Sequence, residues 1–185
     1  MAGDTVLCVG YTEAAPEGRC SSAVCVNGDG VLGHQRKVHL PPAERFAYTP
    51  GEGFASFDTP MGRIGMLLCY DKLFPEAARV LAGEGAQIVV SMAAWPADRH
   101  HPAATLEADR QTRHFDLVDQ ARAIENQVVW VSSNMTGPWG HLTFLGCAKV
   151  VDLFIDHLAD RRPTAYGPTG AAPAGAGAVG ATAGG

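Results

Sequence analysis

A cysteine stands where a continuous apolar run gives way to a helical pattern. In RIGMLLCYDKLFPEAARVLAGEG, Cys69 directly follows the apolar residues 64–68, a run typical of a strand that is buried on both faces. Apolar residues then recur at helical spacing until Gly83 and Gly85 end the pattern. The N–H groups at the start of a helix stabilise a thiolate and can hold an oxyanion. The position therefore suits a nucleophilic cysteine, although by position alone a buried small residue is the more common explanation.

A lysine and a glutamate could complete a site around that thiol. Lys37 lies on or just after the second strand of a predicted hairpin, and Glu44 follows in a polar, proline-marked loop at residues 41–53. An ammonium beside a thiol favours the thiolate and can stabilise a tetrahedral intermediate, and a carboxylate keeps that ammonium charged and oriented. By itself, each of the two residues is more typical of a solvated surface.

The elements that must position these residues alternate between strands and helices. A hairpin is predicted from residues 23–26 to a strand that begins at Val31, because the intervening Asn-Gly-Asp-Gly accepts the positive φ of such turns. A long helix is predicted over residues 104–125. Further strands are predicted within residues 6–10, 53–62, 87–92, 127–134 and 146–154. This mixture is typical of an α/β protein with a mixed sheet.

The size and charge of the chain restrict its class. Its 185 residues fit one domain, predicted at residues 1–160, and the Ala-, Gly- and Pro-rich residues 161–185 are predicted to be disordered. The net charge of −5 disfavours nucleic acid as a partner. We expect no membrane partner and a cytoplasmic location, because no apolar run is long enough to span a bilayer and no signal-peptide pattern is present. The five cysteines form no disulfide framework, so reduced thiols are expected.

Several stretches in order resemble one family. The stretch RKVHLPPAE…YTPG, followed by GRIGMLLCYDKLFPEAARVLAGEGAQIVV, resembles the nitrilase superfamily of carbon–nitrogen hydrolases, and DQARAIENQVVWVSSN and GHLTFLGCAKVV match later parts of that family's pattern. The resemblance covers roughly residues 6–151. It implies an αββα sandwich with mixed sheets, incomplete at its N-terminus, and a homo-oligomer.

The resemblance also implies a role for each candidate residue. Cys69 would attack the carbon of a small-molecule amide or nitrile and form a thioester or thioimidate. Lys37 would stabilise the intermediate, and Glu44 would position the lysine and the substrate. Tyr70 would lend its backbone N–H to the oxyanion, and Trp95 would lie near the substrate pocket, with a core aromatic as the alternative. No metal or organic cofactor is implied.

The sequence departs from the family pattern at both ends. The family's general-base glutamate lies in a strand–helix section ahead of the stretch that matches VLCVGYTE, and Glu13 and Glu17 stand in the wrong place to replace it. Because a general base contributes about 10²- to 10⁴-fold, low activity is expected of this chain. The alternative is a catalytically inactive chain that acts only by association. After AKVVD, low-complexity sequence stands where the family usually has a turn and another strand.

Two competing sites fit the sequence less well. A zinc site would use four residues of the predicted hairpin region, where Cys25 is better explained as one inward position of a strand: Cys20, Cys25, His34 and His39. A cysteine hydrolase of the α/β-hydrolase type would need a G-x-C-x-G elbow, which Cys69 lacks, together with one of the later histidines: His114, His141 or His157.

Four smaller predictions concern architecture. Asp71 is expected to cap the helix that follows Cys69, and Asn134 to line a pocket or a turn. Residues at i, i+3 spacing on helices are expected to serve packing or ion pairing: Glu76 with Arg79, and Arg122 with Glu125.

Overall fold

The computed structural model describes residues 5–153 and 157–161. Within them the chain forms two α-helices, α1 (Pro75–Gly83) and α2 (Arg110–Asn126), and a 3₁₀ turn at Cys69–Leu73. The strands in the same residues are β1 (Leu7–Ala15), β2 (Gly18–Asn27), β3 (Gly30–Arg36), β4 (Ser56–Thr59), β5 (Gly62–Leu68), β6 (Ile88–Ala93), β7 (Val129–Asn134), β8 (Thr136–Trp139), β9 (Leu142–Leu145), β10 (Ala148–Val151) and β11 (His157–Arg161).

The strands form a mixed sheet, an antiparallel sheet and a small hairpin. Six strands pair in the order β11-β10-β7-β6-β5-β4, with β5, β6 and β7 parallel and the other pairs antiparallel. Helix α1 connects β5 to β6 and α2 connects β6 to β7, as parallel neighbours require. The strands β1-β2-β3 form the antiparallel sheet, and β8 pairs with β9. The predicted α/β class with a mixed sheet is confirmed.

The six-stranded sheet is covered on both faces. On one face it packs against α1 and α2, where Leu81 of α1 and Trp130 of β7 are fully buried. On the other face Met66 and Leu68 of β5 pack against Cys25 of β2 in the three-stranded sheet. The inward position predicted for Cys25 is therefore confirmed. Helices cover only one of the two sheets within residues 5–153, so this part of the chain shows the helix, sheet and sheet layers of the expected αββα sandwich.

The helix predicted directly after Cys69 is interrupted. The chain first makes the short 3₁₀ turn and then leaves helical geometry at Phe74, where φ is −94° and ψ is 110°. Pro75 explains the break, because a proline pushes the residue before it out of the α region and itself fits the first position of a helix. The predicted end of this helix at Gly83 is confirmed.

The second helix begins later than its periodicity predicts. The structure starts α2 at Arg110 instead of residue 104, because the carboxylate of Asp109 accepts a hydrogen bond of 2.7 Å from the backbone N–H of Gln111 and caps the helix there. At its other end, Gln127 takes a left-handed φ of 53° and terminates the helix.

The predicted strands are confirmed, although β1 and β2 run longer than their predicted ranges and β4, β7 and β10 are shorter. Of the predicted tail, only Arg161, at the end of β11, lies among the described residues. None of the described helices is long and apolar enough to cross a membrane.

Candidate active site

Cys69 lies at the point where β5 reverses into the 3₁₀ turn. Its φ of 49° is in the left-handed region, which costs an L-residue roughly 1–2 kcal/mol and is often found at functional sites. The conformation does not by itself mark a nucleophile, because Cys147 has a φ of 60°. The half-buried side chain of Cys69 packs against a cluster of buried residues: Trp95, Leu106, Phe115, Leu145 and Cys147.

The surroundings of the Cys69 thiol act on its pKa in both directions. Burial raises the pKa, and it outweighs the lowering by the positive charges of Lys37 and Lys72 and by a hydrogen bond from the backbone N–H of Ala94. The prediction that a helix N-terminus supplies N–H groups stays a prediction: the 3₁₀ turn begins at Cys69 itself, and α1 begins only at Pro75. The N–H of Ala94 belongs to the segment that follows β6. The net effect is to raise the pKa of the Cys69 thiol, which favours the neutral form over the thiolate.

Lys37 directly follows β3 and is held from several sides. Its side chain is 2% exposed, and its Nζ donates a hydrogen bond of 2.6 Å to Oε2 of Glu44. Its backbone N–H donates to the carbonyl of Ser21 at 2.8 Å, and its carbonyl accepts from the N–H of Gly51 at 2.8 Å. A buried ammonium needs such a charged partner, because the desolvation of an unpaired ion is costly. The predicted trio therefore shares one region: Glu44 contacts Lys37, and both charges influence the thiol of Cys69.

The two remaining candidate residues both follow the thiol in the chain, Tyr70 directly and Trp95 after β6. The ring of Tyr70 meets the ring of Phe74 edge to face, with the centroids 5.4 Å apart, and the role of its N–H stays a prediction. Trp95 is 8% exposed and donates from Nε1 to Gln111 at 2.9 Å, so it is a core aromatic in the cluster that Cys69 contacts.

Asn134 fixes the backbone beside the thiol. Its Oδ1 accepts from the backbone N–H of Trp95 at 2.7 Å, and its Nδ2 donates to the carbonyl of the same residue at 3.2 Å. The prediction of a pocket-wall or turn role for Asn134 is thereby made specific: it holds Trp95 in place.

The sequence of this chain is similar to those of known proteins. A sequence model of the carbon-nitrogen hydrolase family matches residues 2–166. A nitrilase of Pyrococcus abyssi is 35% identical over 127 residues, which are 68% of this chain and 43% of that protein. The chain belongs to the carbon–nitrogen hydrolase family.

Solved structures of the family have a fold similar to that of this chain. The crystal structure of a carbon-nitrogen hydrolase from Helicobacter pylori superposes with a TM-score of 0.78 at 29% identity, over 85% of this chain and 57% of that one. A mutant amidase from Nesterenkonia superposes with a TM-score of 0.73 at 28% identity, over the same shares, and carries the acetamide moiety of fluoroacetamide covalently added at its active-site cysteine. This chain spans about half the length of the curated relatives it matches, 44% and 43% for the first two.

A buried ion network that the sequence pattern did not predict lies behind the thiol of this carbon–nitrogen hydrolase chain. Asp119 of α2 accepts from Nζ of Lys72 at 2.7 Å and from Nζ of Lys149 at 2.9 Å, and all three side chains are fully buried. Asp119 also accepts from Nε1 of Trp130 at 2.8 Å, and Lys149 lies 3.0 Å from Oδ1 of Asp116. Burial lowers the pKa of Lys72 to about 8, against the opposing effect of Asp119. The network therefore places a second cation close enough to influence Cys69.

One signal for the network was present in the sequence. Lys149 stands in the apolar strand AKVV, where alternation puts it on the same face as the buried Val151. Nothing comparable marks Lys72, which lies within a turn.

The two predictions on residues at i, i+3 spacing have clear outcomes. Arg122 and Glu125, for which a packing role was expected, form an ion pair at 2.7 Å, and Arg122 also donates to the carbonyls of Lys72 and Leu73. The expected pair of Glu76 with Arg79 was wrong, since Arg79 donates to the backbone carbonyl of Glu125 at 2.7 Å.

The residues considered for zinc have other surroundings. Cys20 and Cys25 are buried within β2, His34 lies 3.2 Å from Glu13, and the His39 ring stacks on Phe74. Across residues 5–153, no group of three or more His, Cys, Asp and Glu side chains is arranged to hold a metal ion.

The raised pKa of the Cys69 thiol gives a first testable prediction. We expect the rate of iodoacetamide alkylation at Cys69 to rise with pH with an apparent pKa above the roughly 8.5 of an ordinary thiol, because burial outweighs the two lysines. Peptide mass spectrometry after timed alkylation between pH 6 and pH 10 measures the rate at each cysteine separately. An apparent pKa well below that of free cysteine would contradict the assignment of burial as the dominant effect.

Proposed function

We propose that the chain hydrolyses non-peptide carbon–nitrogen bonds of small amides or nitriles through a covalent intermediate on Cys69. One observation carries the proposal: the buried ammonium of Lys37, held by Glu44 at 2.6 Å, acts on a half-buried thiol at the end of a parallel strand. A cation fixed in a poorly hydrated site stabilises the charge that develops in the transition state more strongly than it would in water. The covalent adduct on the active-site cysteine of the Nesterenkonia amidase supports the same role for Cys69.

The proposed chemistry for an amide has two halves. The Cys69 sulfur forms a bond to the carbonyl carbon, the carbonyl π electrons move to oxygen, and the oxyanion lies against the Lys37 ammonium and the backbone N–H of Tyr70. The carbon–nitrogen bond then breaks, and the proton that left the thiol departs on the nitrogen as ammonia or an amine. Water adds to the resulting thioester, and the carboxylic acid leaves as the sulfur–carbon bond breaks.

A nitrile follows the same course with one more step. The sulfur adds to the nitrile carbon to give a thioimidate, water adds to that carbon, and ammonia leaves to give the same thioester. In both cases Glu44 keeps the ammonium of Lys37 oriented, and Trp95 forms part of the wall beside the thiol. Of the two substrate classes, we favour amides.

Fluoroacetamide and a substrate panel test the proposal. Because the carbon–fluorine bond resists ordinary thiols, selective labelling of Cys69 requires an activated sulfur and a bound amide group. We expect an adduct on Cys69 and none on the other cysteines, and ammonia release from short amides or nitriles. Mass spectrometry of peptides and an ammonia assay provide the measurements.

A folded chain that neither releases ammonia nor takes up fluoroacetamide at Cys69 would overturn the proposal. That outcome would favour the alternative, a catalytically inactive chain that acts only by association. Slow release with selective labelling would agree with the low activity expected from the sequence. The cytoplasmic location, the homo-oligomer and the domain at residues 1–160 stay predictions.

A further inference from the structure

One buried carboxylate joins the two segments that carry Cys69 and Lys37. Asp71 is 0% exposed and lies within the turn that begins at Cys69. Its Oδ2 accepts from the backbone N–H of Leu68 at 3.2 Å. Its Oδ1 accepts from the N–H groups of Val38 at 3.2 Å and His39 at 2.7 Å, and lies 3.0 Å from Nδ1 of the His39 ring. Asp71 is therefore not the N-cap residue that was expected: it is the third residue of the 3₁₀ turn, and its carboxylate accepts from the N–H of Leu68, which stands at the N-cap position.

These contacts cross from one sheet to the other. Leu68 is the last residue of β5, in the six-stranded sheet, and is the neighbour of Cys69. Lys37, Val38 and His39 lie directly after β3, which is a strand of the three-stranded sheet. The two sheets share no backbone ladder in the part of the chain that the structure describes, so the carboxylate makes a polar link where the rest of the contact is apolar packing.

A second contact joins the same two segments. The ring of His39 stacks on the ring of Phe74 at the end of the cysteine turn, with centroids 3.8 Å apart and planes 11° apart. By contrast, the other partners of Lys37 do not belong to that turn: Ser21, Gly51 and Glu44 lie in β2 and in the loop after β3. They fix Lys37 within its own layer, and the contacts of Asp71 and His39 add to the apolar packing between the sheets by tying the segment of Lys37 to the cysteine turn.

We propose that Asp71 is a positioning residue of the reaction proposed above, which sets the place of the Lys37 ammonium relative to the Cys69 thiol. The reason is geometric. The backbone N–H groups that donate to the Asp71 carboxylate fix its orientation, and charge-assisted hydrogen bonds of this kind are shorter and stronger than neutral ones. Asparagine cannot replace Asp71. The amide nitrogen of asparagine is a donor, and it would face at least one of the N–H groups that now donate a hydrogen bond to Asp71.

The proposal predicts that loss of Asp71 slows the alkylation of Cys69, whereas a direct effect of its charge on the thiol would have the opposite sign. A carboxylate near a thiol disfavours the thiolate, so removing the charge of Asp71 alone would speed alkylation of Cys69. If Asp71 instead acts through Lys37, its removal lets the ammonium move away, the thiolate loses its partner, and alkylation slows.

A double-mutant cycle measures this coupling. The second-order rate of iodoacetamide alkylation at Cys69 is compared at pH 7 for wild type, Asp71→Asn, Lys37→Met and the double variant. We expect Asp71→Asn to slow the rate about 3- to 10-fold and Lys37→Met by about tenfold, since one unit in thiol pKa changes the thiolate fraction about tenfold. The double variant should be no slower than Lys37→Met within about twofold, because coupled residues do not act additively.

Two further variants make the cycle robust. Asp58→Asn removes an 83% exposed carboxylate that pairs with Arg63 and should leave the rate unchanged. His39→Ala keeps the carboxylate of Asp71 and should slow alkylation in the same direction but less. If Asp71→Asn does not fold by circular dichroism, the cycle of His39→Ala with Lys37→Met decides.

Faster alkylation in Asp71→Asn, or independent effects that multiply in the double variant, would overturn the proposal. The cycle needs no turnover, so it is separate from the test of function. A chain that releases no ammonia but shows the coupled cycle would refute the proposed hydrolysis and leave the positioning role standing. Where turnover is measurable, Asp71→Asn should lower kcat with KM changed less than about twofold.

Discussion

Replacing Cys69 by alanine is expected to remove turnover almost completely, with a loss on the order of 10⁴-fold or more in ammonia release. The expectation follows from the chemistry, because without the sulfur no thioester or thioimidate forms and the Lys37 ammonium has no attacking group to assist. The backbone should tolerate the change, since cysteine and alanine share the same restrictions at the φ of 49°. Ammonia release and fluoroacetamide labelling of wild type and variant provide the measurement.

Cys147→Ala is the matched control for that experiment. Cys147 is buried in the cluster that Cys69 packs against and has a similar φ of 60°, so its replacement removes a thiol from the same surroundings. We expect its turnover to stay within about threefold of wild type and its fold to be retained. If Cys69→Ala kept more than a tenth of the wild-type rate, or if Cys147→Ala lost as much, the assignment of the nucleophile would be wrong.

The sequence predicted most of the fold because its strands carry strong local signals. The apolar run before Cys69 and the Asn-Gly-Asp-Gly turn after residue 26 identified β5 and the β2–β3 hairpin. Helix boundaries were predicted less well, because they depend on single residues. Pro75 breaks the helix after Cys69, and the carboxylate of Asp109 starts α2 later than the apolar periodicity indicates.

The sequence predicted the site residues whose chemistry follows from their type. It did not predict the role of residues whose contacts lie far away in the chain. A thiol, an amine and a carboxylate suggested Cys69, Lys37 and Glu44, and the structure places them in one region. Asp71 looked like a helix cap because its actual partners, Val38 and His39, lie far away in the sequence. A local pattern contains no information on such contacts.

The burial of two lysines could not be predicted from the sequence for the same reason. Lysine is among the residues that are most often exposed, so residue type alone assigns Lys72 and Lys149 to the surface. Their burial depends on Asp119, which faces them only after α2 packs on the sheet. The network can therefore be recognised only from the tertiary structure, and breaking it should have a large effect on stability.

We expect Asp119→Asn to lower the free energy of unfolding by about 3–5 kcal/mol. The substitution keeps the shape of the side chain and an acceptor for Trp130, but removes the anion that Lys72 and Lys149 share. Breaking a buried ion pair by removing one partner leaves an uncompensated buried charge, which is the costly case. Denaturant unfolding at pH 7, followed by far-UV circular dichroism, measures the change.

Asp58→Asn is the control for the loss of a carboxylate, because its pair with Arg63 is exposed to water and should contribute little.

The pH dependence of the Asp119→Asn penalty separates the effect of charge from that of packing. A buried ammonium that has lost its counter-ion escapes by releasing its proton, and this release costs less as the pH rises toward the ordinary pKa of lysine, about 10.4. The penalty of Asp119→Asn should therefore shrink between pH 6 and pH 9. A penalty that is the same at both pH values, or one below about 1 kcal/mol, would mean that the three side chains contribute through shape and not through charge.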